Sequence, residues 1–151
     1  MATKHSAAGA AATRLILEVF RANGLLLAVG DRLTRPLGLT SARWQVLGAL
    51  ADGPATVAQV ARDMGLARQS VQRLANLLEK ERLVAFAANP NHRRAALVEL
   101  TSKGRSAYDR ISEIQARWVN RLASGLDARK LEGALVLLKE LQARLRASPQ
   151  G

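Results

Sequence analysis

One segment of 28 residues, TVAQVARDMGLARQSVQRLANLLEKERL at positions 56–83, constrains the fold more than any other part of the chain. Thr56 and Gln59 have the spacing of a capping box, which predicts the start of a short helix. Gly65 can take the left-handed conformation that ends this helix near Met64. The next apolar positions predict one buried helix face, formed by Val71, Leu74, Leu77 and Leu78. Two helices joined by about three residues that include a glycine predict a helix-turn-helix.

A long helix is predicted before this motif. Apolar residues at steps of three and four predict that it packs on another helix: Leu15, Val19, Ala22, Leu26, Val29 and Leu33. We expect this helix at residues 13–38, after a flexible segment at 1–12, with Pro36 and Gly38 stopping it. Thr40 can then cap a second helix. Its apolar face is predicted to hold Trp44, Leu47 and Leu50.

A β-hairpin and two further helices are predicted after the motif. The segments LVAFA and AALVEL are rich in strand-forming residues, and a polar loop, Asn-Pro-Asn-His-Arg-Arg at 89–94, separates them. Thr101 can begin the next helix and Asp127 the last one. The predicted inward residues of the first are Tyr108, Ile111, Ile114, Trp118 and Leu122. The last helix places its leucines on one stripe: Leu131, Leu135, Leu138, Leu141 and Leu145.

These elements predict a mainly α fold with a small β-hairpin wing. A winged helix-turn-helix lobe is expected at 39–104, and a helical dimerisation region is expected from the first helix together with residues 105–147. The first and last helices carry more apolar surface than a small lobe can cover. A second copy of the chain, paired by two-fold symmetry, would bury that surface.

The charge of the chain favours a polyanionic partner. Lys and Arg number 23 against 12 Asp and Glu, which gives a net charge of +11. Residues 64–78 and 82–98 contain no acid, although both windows contain arginines. Cysteine is absent, which excludes disulfides and thiolate metal sites. No membrane-spanning run or signal peptide is recognised, so a cytoplasmic protein is expected.

The helix-turn-helix and the wing together predict a DNA-binding surface. A recognition helix fits the major groove of duplex DNA, and a flanking hairpin can reach the adjacent minor groove, where arginine is favoured. Arg and Gln can bond base edges, whereas Ser and an outer Arg suit phosphates. The candidate DNA-binding residues are Arg68, Gln69, Ser70, Gln72 and Arg73 on the helix, with Arg93 and Arg94 on the wing.

Three rival functions are considered. An enzyme is disfavoured because no catalytic motif occurs and the two histidines, His5 and His92, form no site; no cofactor or metal is expected. A module that binds an acidic protein would use the same basic face. A membrane-surface protein is disfavoured because the cations lie on turns and tips, and not along one helix face.

The segments LTSARWQVLGAL, TVAQVARDMGLARQSVQRLANLLEKERLV and NPNHRRAALVELTSKG resemble the MarR family of bacterial winged helix-turn-helix regulators over nearly the whole chain. The resemblance implies a homodimer on an inverted-repeat operator, with the first and last two helices interlocked. It also implies that the seven candidate residues contact DNA, and that a small aromatic or acidic ligand can bind between lobe and dimer region and release the DNA. We therefore expect a repressor.

The chain departs from the family pattern at three positions. Asn89 and His92 stand where the wing of the family has acids, so a carboxylate that would brace a wing arginine is missing. Ala67 stands where relatives often have Ser or Thr to cap the recognition helix, a change that typically costs about 1 kcal/mol. Family branches that sense oxidation use cysteine, which this chain lacks.

Overall fold

The computed structural model describes residues 4–148 and shows a mainly helical chain with one small antiparallel sheet, which confirms the predicted fold class. The helices are α1 (Ala7–Thr34), α2 (Ser41–Ala49), α3 (Val57–Met64), α4 (Arg68–Lys80), α5 (Ser102–Leu122) and α6 (Ala128–Ala147). The strands are β1 (Ala55–Thr56), β2 (Val84–Ala87) and β3 (Leu97–Leu100). The chain divides into two compact units whose boundary, after Gln115, falls within α5.

The first helix begins earlier and ends earlier than predicted. It starts at Ala7, where the Ser6 side chain accepts a hydrogen bond from the Gly9 N–H, because the alanine-rich start has high helix propensity. Residues 1–3 of the expected flexible segment lie outside the described residues. The helix ends at Thr34, and a 3-10 turn that contains Pro36 follows, since proline has no backbone N–H to continue the bonds of an α-helix.

The end of α1 is bonded directly to the start of α2. The Asp31 carboxylate accepts a hydrogen bond from the Ser41 N–H at 2.7 Å. Gly30 packs so closely on Ser41 that a Cβ at position 30 would lie 2.4 Å from the Ser41 hydroxyl oxygen. The buried Thr34 hydroxyl donates to the Gly30 carbonyl at 2.8 Å. The direction in which α1 leaves the lobe is therefore fixed by specific contacts.

The predicted helix-turn-helix is confirmed in its local details. The Thr56 hydroxyl accepts from the Gln59 N–H at 3.2 Å, and the Gln59 side chain accepts from the Thr56 N–H at 2.8 Å. Gly65 has a φ of 64°, and residues 65–67 form the turn to α4. Ala67 occupies the N-cap of α4 and supplies no side-chain hydrogen bond, as expected from its methyl group.

The hydrophobic core lies between α2, α3, α4, the first half of α5 and the sheet. Its fully buried side chains include Val46, Leu47, Leu50, Val60, Val71, Leu78, Val84, Val98 and Ile111. Burial of each of these side chains stabilises the fold by roughly 1.5 to 3 kcal/mol. The prediction that Leu77 is buried is wrong, because it lies about 120° around the helix from Val71 and is 37% exposed. Ala75 takes its place in the buried face.

The sheet has one strand more than the predicted hairpin. Its order is β1-β3-β2, with Ala55 opposite Val98 and Val84 opposite Leu100, all antiparallel. Strand β1 has two residues, which is too short for an alternating pattern to be visible in the sequence. Because Thr56 belongs to β1 and also caps α3, this strand fixes the start of the helix-turn-helix against the wing.

The long C-terminal helices are confirmed, and in the single chain their apolar residues are only partly covered. In α5, Ile111 is buried and Tyr108 packs partly buried on the core, but Leu122 is 55% exposed. In α6, which the Asp127 side chain caps, the stripe residues Leu131, Leu135 and Leu145 are exposed. Within residues 4–148, no helix is both long and apolar enough to cross a membrane.

Candidate nucleic-acid interface

A groove with a volume of about 620 Å³ runs between α4 and the wing, the β2–β3 hairpin with its loop at residues 88–96. Side chains of α4 line one side: Arg68, Gln69, Gln72, Asn76 and Glu79. Residues of the wing line the other side: Phe86, Arg94, Ala95 and Ala96. The start of α3, from Thr56 to Ala58, completes the lining. This groove is concave, polar at α4 and open to solvent.

Helix periodicity explains which α4 side chains reach the groove. Residues three and four apart share one face of a helix, and positions 68, 72, 76 and 79 follow that spacing. The opposite face, at Val71, Ala75 and Leu78, is buried in the core. The core therefore holds α4 with its polar side outward.

The wing loop is organised by hydrogen bonds of its own residues. The Asn89 side chain accepts a hydrogen bond from the Asn91 N–H at 3.0 Å. Two turns follow. In the first, the His92 N–H donates to the Asn89 carbonyl, and in the second, the Ala95 N–H donates to the His92 carbonyl, both at 3.3 Å. The Asn89 side chain therefore braces the backbone of the loop. The loop is longer than the six predicted residues because Ala88 lies outside β2, and Ala95 and Ala96 lie outside β3.

The base of the wing is fixed to the end of α4. The Thr101 hydroxyl donates to the Arg82 carbonyl at 2.7 Å, and the Thr101 N–H donates to the Leu83 carbonyl at 3.1 Å. Arg82 itself has a φ of 59°, a conformation that non-glycine residues rarely adopt. This left-handed residue turns the chain sharply from α4 into β2, so the wing folds back beside the helix.

The seven residues predicted to bind DNA are all exposed. The structure brings four of them, Arg68, Gln69, Gln72 and Arg94, into the one groove. The other three, Ser70, Arg73 and Arg93, do not line it. Among residues 4–148, none of the four arginines in the set forms a salt bridge. Their charge is therefore available to an anion outside the chain.

Two polar groove residues were not predicted from the sequence. Asn76 lies four residues after Gln72 and accepts a hydrogen bond from its side-chain amide at 2.9 Å. Glu79 lies one turn further along α4 and is an acid within the groove. The helical spacing of 72, 76 and 79 was the signal for both residues, because the same period that places Gln72 outward extends to them.

Known proteins resemble this chain in sequence. A model of the MarR family matches residues 37–95. An uncharacterized protein of Mycobacterium tuberculosis is 38% identical over 134 residues, which cover 89% of this chain and 94% of that protein. The transcriptional activatory protein BadR of Rhodopseudomonas palustris is 31% identical over 111 residues, which cover 70% of this chain and 63% of BadR.

Solved structures share the fold. A MarR/EmrR family transcriptional regulator of Acinetobacter has a TM-score of 0.81 at 17% identity, covering 90% of this chain and 97% of its own. CouR of Rhodococcus jostii, bound to p-coumaroyl-CoA, has a TM-score of 0.77 at 22% identity, covering 84% and 90%. MOSR of M. tuberculosis, in complex with DNA, has a TM-score of 0.72 at 23% identity, covering 87% and 97%. The chain thus belongs to the MarR family of winged-helix transcriptional regulators.

Proposed function

We propose that this protein is a homodimeric repressor that binds an inverted-repeat operator in duplex DNA. In each half-site, α4 enters the major groove and the wing reaches the adjacent minor groove. The observation that carries the proposal is the shared groove, to which α4 contributes Arg68 and the wing contributes Arg94. The fold of MOSR, which this chain shares, has been seen with DNA.

The side chains divide into two roles. Gln69 and Gln72 contact base edges in the major groove of the DNA, because an amide can donate and accept at once. Arg68 can bond guanine in that same major groove. Ser70 and Arg73, on the flank of α4, contact phosphates. Arg93 and Arg94 lie in or beside the minor groove, whose narrow parts have the most negative potential.

Dimerisation is proposed from exposed apolar surface. Seven large apolar residues of α1 are exposed in the single chain: Ile16, Leu17, Val19, Phe20, Leu25, Leu26 and Leu27. Exposed residues of α6 add Leu131, Leu135, Val136, Leu137 and Leu145. Monomeric proteins rarely leave large apolar patches exposed to water. A two-fold dimer would cover it and would set two α4 helices to read half-sites roughly 34 Å apart.

We also propose that an aromatic carboxylate or its thioester weakens DNA binding. A cleft of about 640 Å³ is lined by apolar Leu37, Leu39 and Leu83, by the cations Lys103 and Arg110, and by Glu81, whose carboxylate is paired with Arg43 at 2.8 Å. Its size and its mixture of apolar and charged groups suit a small acidic ligand. Arg110 forms no salt bridge within residues 4–148, so its charge is free to meet a carboxylate. CouR, which shares the fold, holds p-coumaroyl-CoA.

The proposal of DNA binding is tested by selecting bound fragments from a random pool of duplexes with the purified full chain. An enriched inverted repeat with half-sites about one helical turn apart supports it. Failure to enrich any sequence overturns it, and binding of an acidic protein through the same basic face would then be the remaining use of the groove. The ligand proposal is tested by adding p-coumarate or benzoate to the complex of the protein with the selected fragment. The added compound should release DNA from the wild type, and it should release less DNA from Arg110→Ala.

Repression is tested separately in cells. A reporter gene behind the selected operator should become more active when the regulator is deleted. Loss of reporter activity on deletion would instead make the protein an activator, as the name of BadR states for that relative.

A further inference from the structure

Asn76 and Gln72 form a bonded pair on the outward face of α4. The Gln72 amide nitrogen donates to the Asn76 side-chain oxygen at 2.9 Å, and both side chains line the groove between α4 and the wing. The two residues are four apart, the spacing at which helix side chains meet. Both are exposed, so neither contributes to the core.

In the structure, this bond turns the nitrogen end of the Gln72 amide towards Asn76. A free glutamine amide can turn its oxygen and its nitrogen end for end, so it offers an acceptor or a donor at the same place. In the pair, the nitrogen is turned towards Asn76, which leaves the Gln72 oxygen as a free acceptor. One N–H of Gln72 also remains free, because the amide carries two and the bond uses one.

This orientation matches the major-groove edge of adenine. Adenine presents a donor, its amino group, beside an acceptor, N7, and glutamine reads it with one acceptor and one donor. An amide oriented before binding loses less side-chain freedom when it meets the base. Water is excluded at such a contact, which strengthens the bond to Asn76 in the complex.

We propose that Asn76 is a positioning residue that fixes Gln72 for adenine, and thereby sets base preference at one position of each half-site. The inference rests on the proposed function, since it concerns the same recognition helix. Asn76 acts through Gln72 at this position, and it contributes little to the overall affinity for DNA.

Four forms of the full chain test this inference in the random-duplex selection: the wild type, Asn76→Ala, Gln72→Ala and the double variant. The position read by Gln72 is the one whose preference changes in Gln72→Ala. We expect adenine there in the wild type, and a loss of about twofold to tenfold in that preference for Asn76→Ala, the range that follows from freeing one flexible side chain. The double variant should give the same profile as Gln72→Ala at this position.

Two further variants separate positioning from other causes. Asn76→Asp keeps an acceptor oxygen for the Gln72 nitrogen, so it should retain the adenine preference while its added negative charge weakens binding to every duplex. Glu140→Ala is the control. It removes a hydrogen bond on α6 between side chains that are also four residues apart, which Arg144 donates to Glu140 at 2.8 Å, and it should leave the base preferences unchanged. Circular dichroism of each variant checks that the helices are intact.

The outcomes distinguish this inference from the proposed function. One outcome is that the wild type and Asn76→Ala enrich the same inverted repeat with the same base preferences. That result overturns the role of Asn76 and leaves the proposed function standing. The role is also overturned if Asn76→Ala changes the base preferences equally in the wild type and in the Gln72→Ala background. It is overturned as well if Gln72→Ala changes the base preference at no position. A wild type that enriches no sequence overturns both.

Discussion

The carbonyl oxygen of Leu83 lies against Gly104 so closely that a Cβ at position 104 would be 1.8 Å from it. This contact joins the segment between α4 and β2 to the first turn of α5. The neighbouring atom is backbone, which cannot move aside without shifting the base of the wing. Glycine is therefore required at this position because of a close approach between two chain segments.

Gly104→Ala is expected to destabilise the fold by about 3 kcal/mol or more, because the methyl group overlaps a backbone atom. The measurement is urea unfolding followed by circular dichroism. Gly48→Ala is the matched control, since its Cβ would meet only a Tyr108 ring carbon at an ordinary 3.6 Å. That helix substitution should stabilise by roughly 0.5 to 1 kcal/mol. Equal midpoints for the two variants would contradict the close approach.

The bond from Ser41 to Asp31 should be measurable in stability. Asp31→Ala removes the acceptor for a helix N-terminal N–H, at an expected cost of about 1 kcal/mol, whereas Asp31→Asn keeps an oxygen in that place and should lose less. Glu18→Ala is the control, because its exposed pair with Arg21 should contribute little. Thermal unfolding of the three variants compares them. If Asp31→Ala unfolds at the wild-type temperature, α1 is not held by this bond.

The missing cap of the recognition helix can be supplied. Ala67 has the extended backbone of an N-cap, with φ −68° and ψ 140°. Ala67→Ser should therefore stabilise the fold by roughly 0.5 to 1 kcal/mol. Ala67→Asp should stabilise it similarly but weaken DNA binding, since a carboxylate would stand beside phosphates. Melting curves and fluorescence anisotropy with the selected duplex measure the two effects. A loss of stability in Ala67→Ser would show that the position is not a working cap.

The exposed seam of α1 should control the oligomeric state. Leu26 belongs to the predicted seam and is 53% exposed in the single chain. Leu26→Glu should shift the protein towards monomer, because a charge would be buried in the dimer. Ala28→Glu, at an exposed position about 160° around the same helix from Leu26, is the control. Light scattering after size-exclusion chromatography gives the mass, and a mass for Leu26→Glu equal to that of the wild type would exclude this seam from the interface.

Local sequence signals predicted the elements of the DNA-binding lobe, because the physics at those positions is local. The Thr56–Gln59 capping box, the left-handed Gly65 and the uncapped Ala67 each depend on residues within one or two helical turns. The two-residue strand β1 was missed because its pairing with β3 depends on residues some forty positions away. The position of Leu77 was wrong because it lies about 120° around α4 from Val71, at the edge of the buried face, where Ala75 is buried instead.

The candidate site was predicted less completely than the fold. The positions of Arg68 and Gln72 follow from the helix period, but the contribution of Arg94 to the same groove depends on the turn at Arg82 and on the bonds of Thr101. The bond between Gln72 and Asn76 depends on side-chain orientation, which residue spacing permits but does not determine. Sequence reasoning therefore gave the groove residues on α4 more readily than their relation to the wing.

The central claim is that cations on α4 and on the wing engage one DNA duplex together. The most direct measurement is the salt dependence of affinity for the selected duplex, compared between Arg68→Ala/Arg94→Ala and the control Lys139→Ala/Arg146→Ala on α6, which also removes two positive charges. The slope of log affinity against log salt is negative, and each neutralised phosphate contributes roughly 0.9 to its magnitude. We expect that magnitude to decrease by about 2 per subunit in the groove variant and to stay at the wild-type value in the control. An unchanged slope in the groove variant, or an equal fall in the control, would contradict the claim.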